Sequence, residues 1–246
     1  MSSRPDSSTA PVAPSACLDL RPRYDLYGPV HKALRAQLCD ALLRVSRIDV
    51  SDEADRARAC DRVSVLLSDL RLHLAHEEEF IHPLLETLQP GSAAPVLGEH
   101  DDHREAMFEL ELLIANLRTT PSAQVAHTVY RRLALLVAEN LDHMEIEEGR
   151  IQELLWAHLT DAELDELNGR IVAHVSPQEF AGLLEWMLPA LTPMQRAGML
   201  GQMRDRAPAP VFEGVLGIAR AHLDPSGWVK LSRALQLPAV PGLVSA

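Results

Sequence analysis

Apolar residues spaced three and four apart begin at Leu26 and predict helix nearly everywhere that follows. Alternation of the kind that marks strands is absent, and Pro and Gly fall mainly at segment boundaries. The spacing predicts four long helices, at about 26–48, 52–88, 94–118 and 122–157. The breaks between them carry turn and capping residues: Asp49 and Ser51, then Gln89-Pro90-Gly91, then Thr120-Pro121-Ser122.

Each long segment has one inward seam. The first runs Tyr27, His31, Leu34, Leu38, Leu42, Val45, and the second Val63, Leu66, Leu70, His73, Glu77, Phe80, Leu84, Leu88. The third runs Val96, His100, His103, Met107, Leu110, Ile114, Leu117, and the fourth Val129, Leu133, Leu136, Asn140, His143, Glu147, Leu154. Such seams pack helices at shallow angles, so the fold class is all-α, an up-down-up-down four-helix bundle followed by a smaller region of short helices.

That smaller region is signalled by Thr160-x-x-Glu163, Ser176-Pro177-x-Glu179 and Thr192-Pro193-x-Gln195, three capping boxes, two of them with Pro at the first helical position. Asp224-Pro225 opens a further short helix. About five short helices are expected, with Trp186 and Trp228 as packing anchors. The Ser- and Pro-rich start cannot bury apolar surface and reads as a disordered tail. The expected division is a tail at 1–22, the bundle at 23–158 and the short-helix region at 159–246.

Composition narrows the chemistry. The chain of 246 residues has a formal charge of -12 and only two lysines, Lys32 and Lys230, which argues against nucleic acid or an anionic membrane as partner. No apolar run reaches the length of a membrane span, and no signal peptide is evident, so a cytoplasmic location is expected. Cys17, Cys39 and Cys60 are odd in number and lack C-x-x-C spacing, which argues against a thiolate metal site. Phosphate loops, nucleophile elbows and zinc-protease motifs are absent.

The seams themselves hold the candidate chemistry. His73-x-x-x-Glu77 and His143-x-x-x-Glu147 each place an imidazole and a carboxylate one turn apart on one helix face. Alone, either pair would read as surface charge. In the seam, an uncompensated carboxylate costs several kcal/mol, and two of them with histidines call for a shared cation. Asp69, His73 and Glu77 repeat as Glu139, His143 and Glu147 at an offset of 70, while His31 and His100 differ by 69. The bundle therefore looks like two copies of one helical hairpin, and a pseudo-twofold of that kind offers two metal positions. Helix legs of ~26 to ~32 Å, at 1.5 Å per residue, bring all four histidine positions to about one level.

His31, His73-x-x-x-Glu77, His100 and His143-x-x-x-Glu147, together with the stretch His73 to Pro83, resemble the hemerythrin-like family over about residues 26–157. The resemblance implies a non-haem centre of two Fe ions, with Glu77 and Glu147 bridging and the histidines terminal. It departs from the family's oxygen carriers at Arg104, where they have a second His on the third helix. One fewer His leaves an open position, which favours reaction with oxygen, peroxide or nitric oxide over simple carriage. Imidazole and carboxylate ligands suit Fe, or Mn, better than structural Zn. A ferritin-like pattern competes through Glu79-x-x-His82, but its second copy is missing because Asn140 precedes His143 by three.

Several residues near the seams allow two readings. Asp69 and Glu139 are either hydrogen-bond partners of the histidines or surface acids, and Tyr27 is either core or close to an open coordination position. His103 is an alternative to the missing His. His76, His82, His127, His158, His174 and His222 are expected to have no metal role, and Glu78, Glu79 and Glu148 to be solvated. The leading functional expectation is a di-iron protein that binds or senses oxygen or a related small oxidant. The alternatives are a di-iron enzyme that turns over peroxide or nitric oxide or oxidises ferrous iron, and an iron-responsive interaction module. The C-terminal region would offer a surface for a protein partner or self-association.

Overall fold

The computed structural model describes residues 23–238, so the expectation of a disordered tail at 1–22 lies outside the described residues, as does 239–246. Helices α1 (Gly28–Ser46), α2 (Glu53–His76), α3 (His82–Leu88), α4 (Ala94–Thr119), α5 (Ala123–Ile146) and α6 (Gln152–His158) build the bundle. A π-helical turn at Glu77–Ile81 joins α2 to α3 in one rod, and a second at Glu147–Ile151 joins α5 to α6. The four rods are those the seams predict. Helix α1 packs against α2 and α5, and α4 closes the square against the same two.

Local chemistry sets the ends. The Asp25 carboxylate accepts from the Gly28 N–H at 2.7 Å where α1 starts, and a Cβ on Gly28 would meet that carboxylate at 2.1 Å, so a larger residue there would displace this cap. Asp52 caps α2 through the N–H groups of Ala54 and Asp55, and Ser122 caps α5 through that of Val125. Gly91, at φ 84°, turns the chain into α4, while Glu86 accepts from its N–H at 2.7 Å and from that of Ala93 at 3.0 Å.

Two apolar layers fill the bundle. The larger includes Leu34, Leu38, Leu66, Met107, Leu110 and Leu136; the smaller, at the other end, includes Tyr27, Ile81, Leu85, Val96, Ile151 and Leu155. The six residues singled out from the seams lie between these layers.

The π turns correct part of the predicted seam. After Glu77 the buried positions are Ile81, His82 and Leu85, whereas Phe80, Leu84 and Leu88 are only partly buried. After Glu147 they are Ile151, Gln152 and Leu155, with Leu154 partly exposed. One extra residue in a turn rotates everything beyond it, so a pattern continued at α-helical pitch arrives one residue early.

Five further helices follow: α7 (Asp161–His174), α8 (Pro177–Ala190), α9 (Pro193–Arg206), α10 (Ala209–His222) and α11 (Pro225–Ala234). Thr160, Ser176 and Thr192 each form the full capping box, and Asp224 caps α11 through the Gly227 N–H. Helix α8 lies along α1, and Ala33 on the outer face of α1 joins the cluster of Leu184, Leu188 and Leu200. The Arg62 guanidinium sits 4.3 Å from the Trp186 ring centroid, tying α2 to α8. Helix α1 is thus buried on two sides.

Three substitutions test this packing by urea denaturation. Leu136→Ala, in the bundle core, should lower stability by about 2–5 kcal/mol. Thr160→Ala should cost about 1 kcal/mol through its cap. Trp186→Ala should lower stability and increase proteolysis of the 177–190 helix; protection equal to wild type would show that α8 is not held by this contact.

Candidate metal centre

His31 is three residues inside α1 and His100 is in the second turn of α4, whereas His73 and His143 are in the last turns of α2 and α5. Antiparallel neighbours therefore bring the four imidazoles to one level, and the two π turns begin on the glutamates one turn further on. All six sequence-singled residues are brought together. His31, His73, Glu77 and Glu147 form one cluster, and Glu77, His100, His143 and Glu147 the other, with donor atoms within 4.8 Å of one another in each.

The glutamates belong to both clusters. Glu77 Oε1 is 3.3 Å from His73 Nε2 and its Oε2 is 3.5 Å from His100 Nε2. Glu147 Oε2 is 3.3 Å from His31 Nε2 and its Oε1 is 3.3 Å from His143 Nε2. The Nε2 atoms also face each other in pairs, His31 with His73 and His100 with His143, each at 3.2 Å.

This donor set fits a pair of cations. Glu77 and Glu147 are 2% and 1% exposed, and none of their four carboxylate oxygens has a hydrogen bond. Facing nitrogens at 3.2 Å cannot all donate, because a neutral imidazole has one N–H and one lone pair. Convergent nitrogens and carboxylate oxygens with too few donors among them are what a positive ion satisfies.

The outer nitrogens fix the rings. His31 Nδ1 meets Glu148 at 2.9 Å, His100 Nδ1 meets Glu78 at 2.9 Å, and His143 Nδ1 meets Glu99 at 2.6 Å. With Nδ1–H given to a carboxylate, Nε2 carries its lone pair toward the cluster. Arg35 binds Glu148 and Arg104 binds Glu78, so the unit Arg–Glu–His occurs twice. Arg104 is thereby one of a symmetric pair that holds the outer carboxylates. Glu78 and Glu148 are partly buried and bonded, which corrects the expectation that they are solvated. They were legible only as the residue after each clamp, since nothing in the spacing shows that a π turn aims them at the next helix.

Asp69 and Glu139 do not take that part. Asp69 is partly buried near Gln37 and Arg62, and Glu139 lies 3.6 Å from Arg132. Tyr27 is buried in the smaller apolar layer with its ring 5.2 Å from that of His31. His82 and His103 are buried beside the second cluster, their rings 4.9 Å from His100 and His143 respectively, and the Nδ1 of each has no hydrogen bond. Glu79 is exposed, which removes the ferritin-like pairing.

The polypeptide's own field sets the two glutamates apart. Burial, then the facing Glu147, pushes the Glu77 carboxyl well above the usual range. Burial pushes Glu147 the same way, but His143 and His31 outweigh it and hold that carboxyl well below. Burial lowers His73 strongly and brings His100 and His103 to about 4, so these three are neutral at pH 7. Against the same burial, Glu147 and Glu148 raise His31, while Glu147 and Glu99 raise His143.

Residues 24–155 match the hemerythrin HHE cation binding domain. Over 111 residues, 45% of this chain, it is 28% identical to uncharacterized proteins of Mycobacterium bovis and Mycobacterium tuberculosis, and the match spans 63% of their length. No solved structure matches. Because the matched span is more than half of the chain and contains both clusters, this protein belongs to the hemerythrin HHE cation-binding family.

Proposed function

We propose that this protein holds two iron ions, one in each His/Glu cluster, and uses them to bind or sense oxygen or a related small oxidant such as peroxide or nitric oxide. The observation that carries the reading is the pair of buried carboxylates, each turning one oxygen to either cluster with no hydrogen bond of its own. His31 and His73 would hold one ion and His100 and His143 the other, with Glu77 and Glu147 between them. Iron bound there supplies the redox chemistry and a coordination position for the oxidant.

The choice of iron rests on the donor set. Imidazole and carboxylate surround the clusters, and the free thiols Cys39 and Cys60 take no part in them, unlike a thiolate-rich structural zinc site. Four protein donors at each cluster would leave room for further ligands on a metal that takes six, and no further histidine reaches the second cluster from position 104, where Arg104 binds Glu78 instead. The residues around the site orient and shield it: outer carboxylates fix three imidazoles, and apolar layers on both sides keep bulk water away.

A sensing role is supported by α1. That helix carries His31 and Arg35 on one side and packs α8 on the other, and Lys32 reaches Gln195 of α9 at 2.7 Å. A change at His31 is therefore one helix away from the C-terminal region. Among the described residues, no helix is long and apolar enough to cross a membrane. Free Cys39 and Cys60 suit a reducing cytoplasm.

Exposure of the reduced, iron-loaded protein to oxygen and to peroxide distinguishes the roles. Reversible oxygen uptake, or one oxidation per site followed by a shift in C-terminal protease sensitivity, is expected. Many turnovers of peroxide per protein would instead establish an enzyme. Replacement of His73 or Glu147 by Ala should abolish retention of at least one ion per chain, whereas His82→Ala should retain both; equal losses would contradict the assignment of donors.

Chelator-treated protein gives an independent check through pH. A carboxyl whose folded pKa is raised makes the folded state bind the extra proton, so its contribution to stability falls as pH rises from ~4.3 through the folded value. Glu77→Gln removes that loss. In chelator the variant should gain stability relative to wild type as pH rises above ~4.3, while its metal retention falls; a difference independent of pH would contradict the stated burial of charge.

A further inference from the structure

The two hairpins that form the bundle present the same groove to the outside, and the two grooves have different fates. In the first hairpin its α1 wall is formed by Val30, Ala33 and Ala36, and α8 lies over it. In the second, the corresponding positions, 69 residues later, are Glu99, Asp102 and Glu105, and the groove between α4 and α5 is open, with a cavity of about 460 Å³. Arg62 in the first corresponds to Arg132 in the second, and Asp40 to Glu109; each arginine binds that acid, at 3.0 Å and 2.7 Å. The frame is shared, and the lining differs: apolar side chains in the first groove, carboxylates in the second.

The open groove holds Glu99, Asp102, Glu105, Glu109, Glu139 and Asp142 against a single guanidinium, Arg132. Glu109 and Glu139 share that arginine, and Glu99 is bonded to His143. Asp102, Glu105 and Asp142 are exposed and make no ion pair among the described residues. Acidic side chains on a surface are ordinary, but this groove also has a floor that points to a ligand. His103 lines it, is 97% buried by its 3% exposure, and has an Nδ1 without a hydrogen bond. Its ring stands edge-on to His143, 4.9 Å away, and His143 in turn faces the second cluster. The position corresponding to His103 in the first hairpin is Leu34, an ordinary core residue, so the bundle does not need an imidazole there to pack.

We propose that the acidic groove between α4 and α5 is a capture site for hydrated divalent cations, ferrous iron among them, which loads the metal centre from the His100 and His143 side by way of His103. The proposal rests on the paired-metal reading for its destination. The capture step itself rests only on the groove. Unpaired carboxylates concentrate the cation and attract it over a distance set by ionic strength, while the buried imidazole offers a nitrogen donor as water is shed. No covalent or redox step is involved. The α8-covered groove of the first hairpin makes the open one the corresponding route from solvent to the clusters.

The test follows ferrous iron into chelator-treated, full-length protein under anaerobic conditions, with unincorporated iron trapped by a chromogenic chelator at timed intervals. The triple variant Asp102→Asn, Glu105→Gln, Asp142→Asn should load at least about tenfold more slowly at low salt, reach the same final occupancy as wild type, and lose the salt dependence that wild type shows. His103→Leu should slow loading and retain the salt dependence. Wild-type rates in both variants would overturn the proposal. If wild type takes no iron into the clusters, the paired-metal reading fails and capture is read alone from Mn²⁺ binding by electron paramagnetic resonance. Mn²⁺ held by wild type and lost from the triple variant would support the groove as a cation site, and equal binding or none would overturn it.

Discussion

The structure depends on the burial of two glutamates opposite each other inside a helical bundle. Glu77 and Glu147 are almost wholly withdrawn from solvent and make no hydrogen bond, a placement that costs several kcal/mol for each uncompensated charge. Everything close to them reduces that cost or prepares for a cation: four Nε2 atoms converge on their oxygens, and one carboxyl is held charged while the other is driven toward the neutral form. The arrangement is stable as a protein interior only in proportion to what those groups can share. A cation at each cluster would satisfy all of them at once.

The hairpin repeat explains how one chain arrives at such a site. A clamp of His and Glu at the end of α2 recurs at the end of α5, each clamp's glutamate opens a π turn, and each π turn delivers the next glutamate to a histidine and an arginine on the neighbouring helix. The two halves then diverge. Val30 stands where Glu99 would be, Leu34 where His103 would be, and Gln152 where His82 would be. His73 accordingly lacks the carboxylate that His143 has on Nδ1, and the second cluster alone is bordered by further buried imidazoles. A near-symmetric metal cradle thus has asymmetric surroundings, closed by α8 on one side and acidic on the other.

Most of the bundle was legible because a helical seam is a periodic signal, and His31, His73, His100 and His143 occupied positions that periodicity reserves for leucine. The three capping boxes were legible for a similar reason: side chain and N–H are three residues apart in sequence and in space. The π turns were not. Their trace is a seam that steps by four twice, Glu77 to Ile81 to Leu85 and Glu147 to Ile151 to Leu155, while Phe80, Leu84 and Leu154 offer an equally apolar path at ordinary pitch. The roles of Glu78, Glu99 and Glu148 were hidden as well, because they depend on which way a neighbouring helix faces rather than on spacing within one. Arg104 read as an absent ligand, and its partnership with Glu78 became visible only beside that of Arg35 with Glu148.

Whether these carboxylates and imidazoles hold a pair of iron ions is read from metal analysis of protein produced in iron-rich medium, combined with its optical spectrum before and after anaerobic reduction. Two irons per chain and a near-ultraviolet charge-transfer band that bleaches on reduction are expected. A colourless, metal-free protein that is fully folded and takes up no iron would contradict the paired-iron reading.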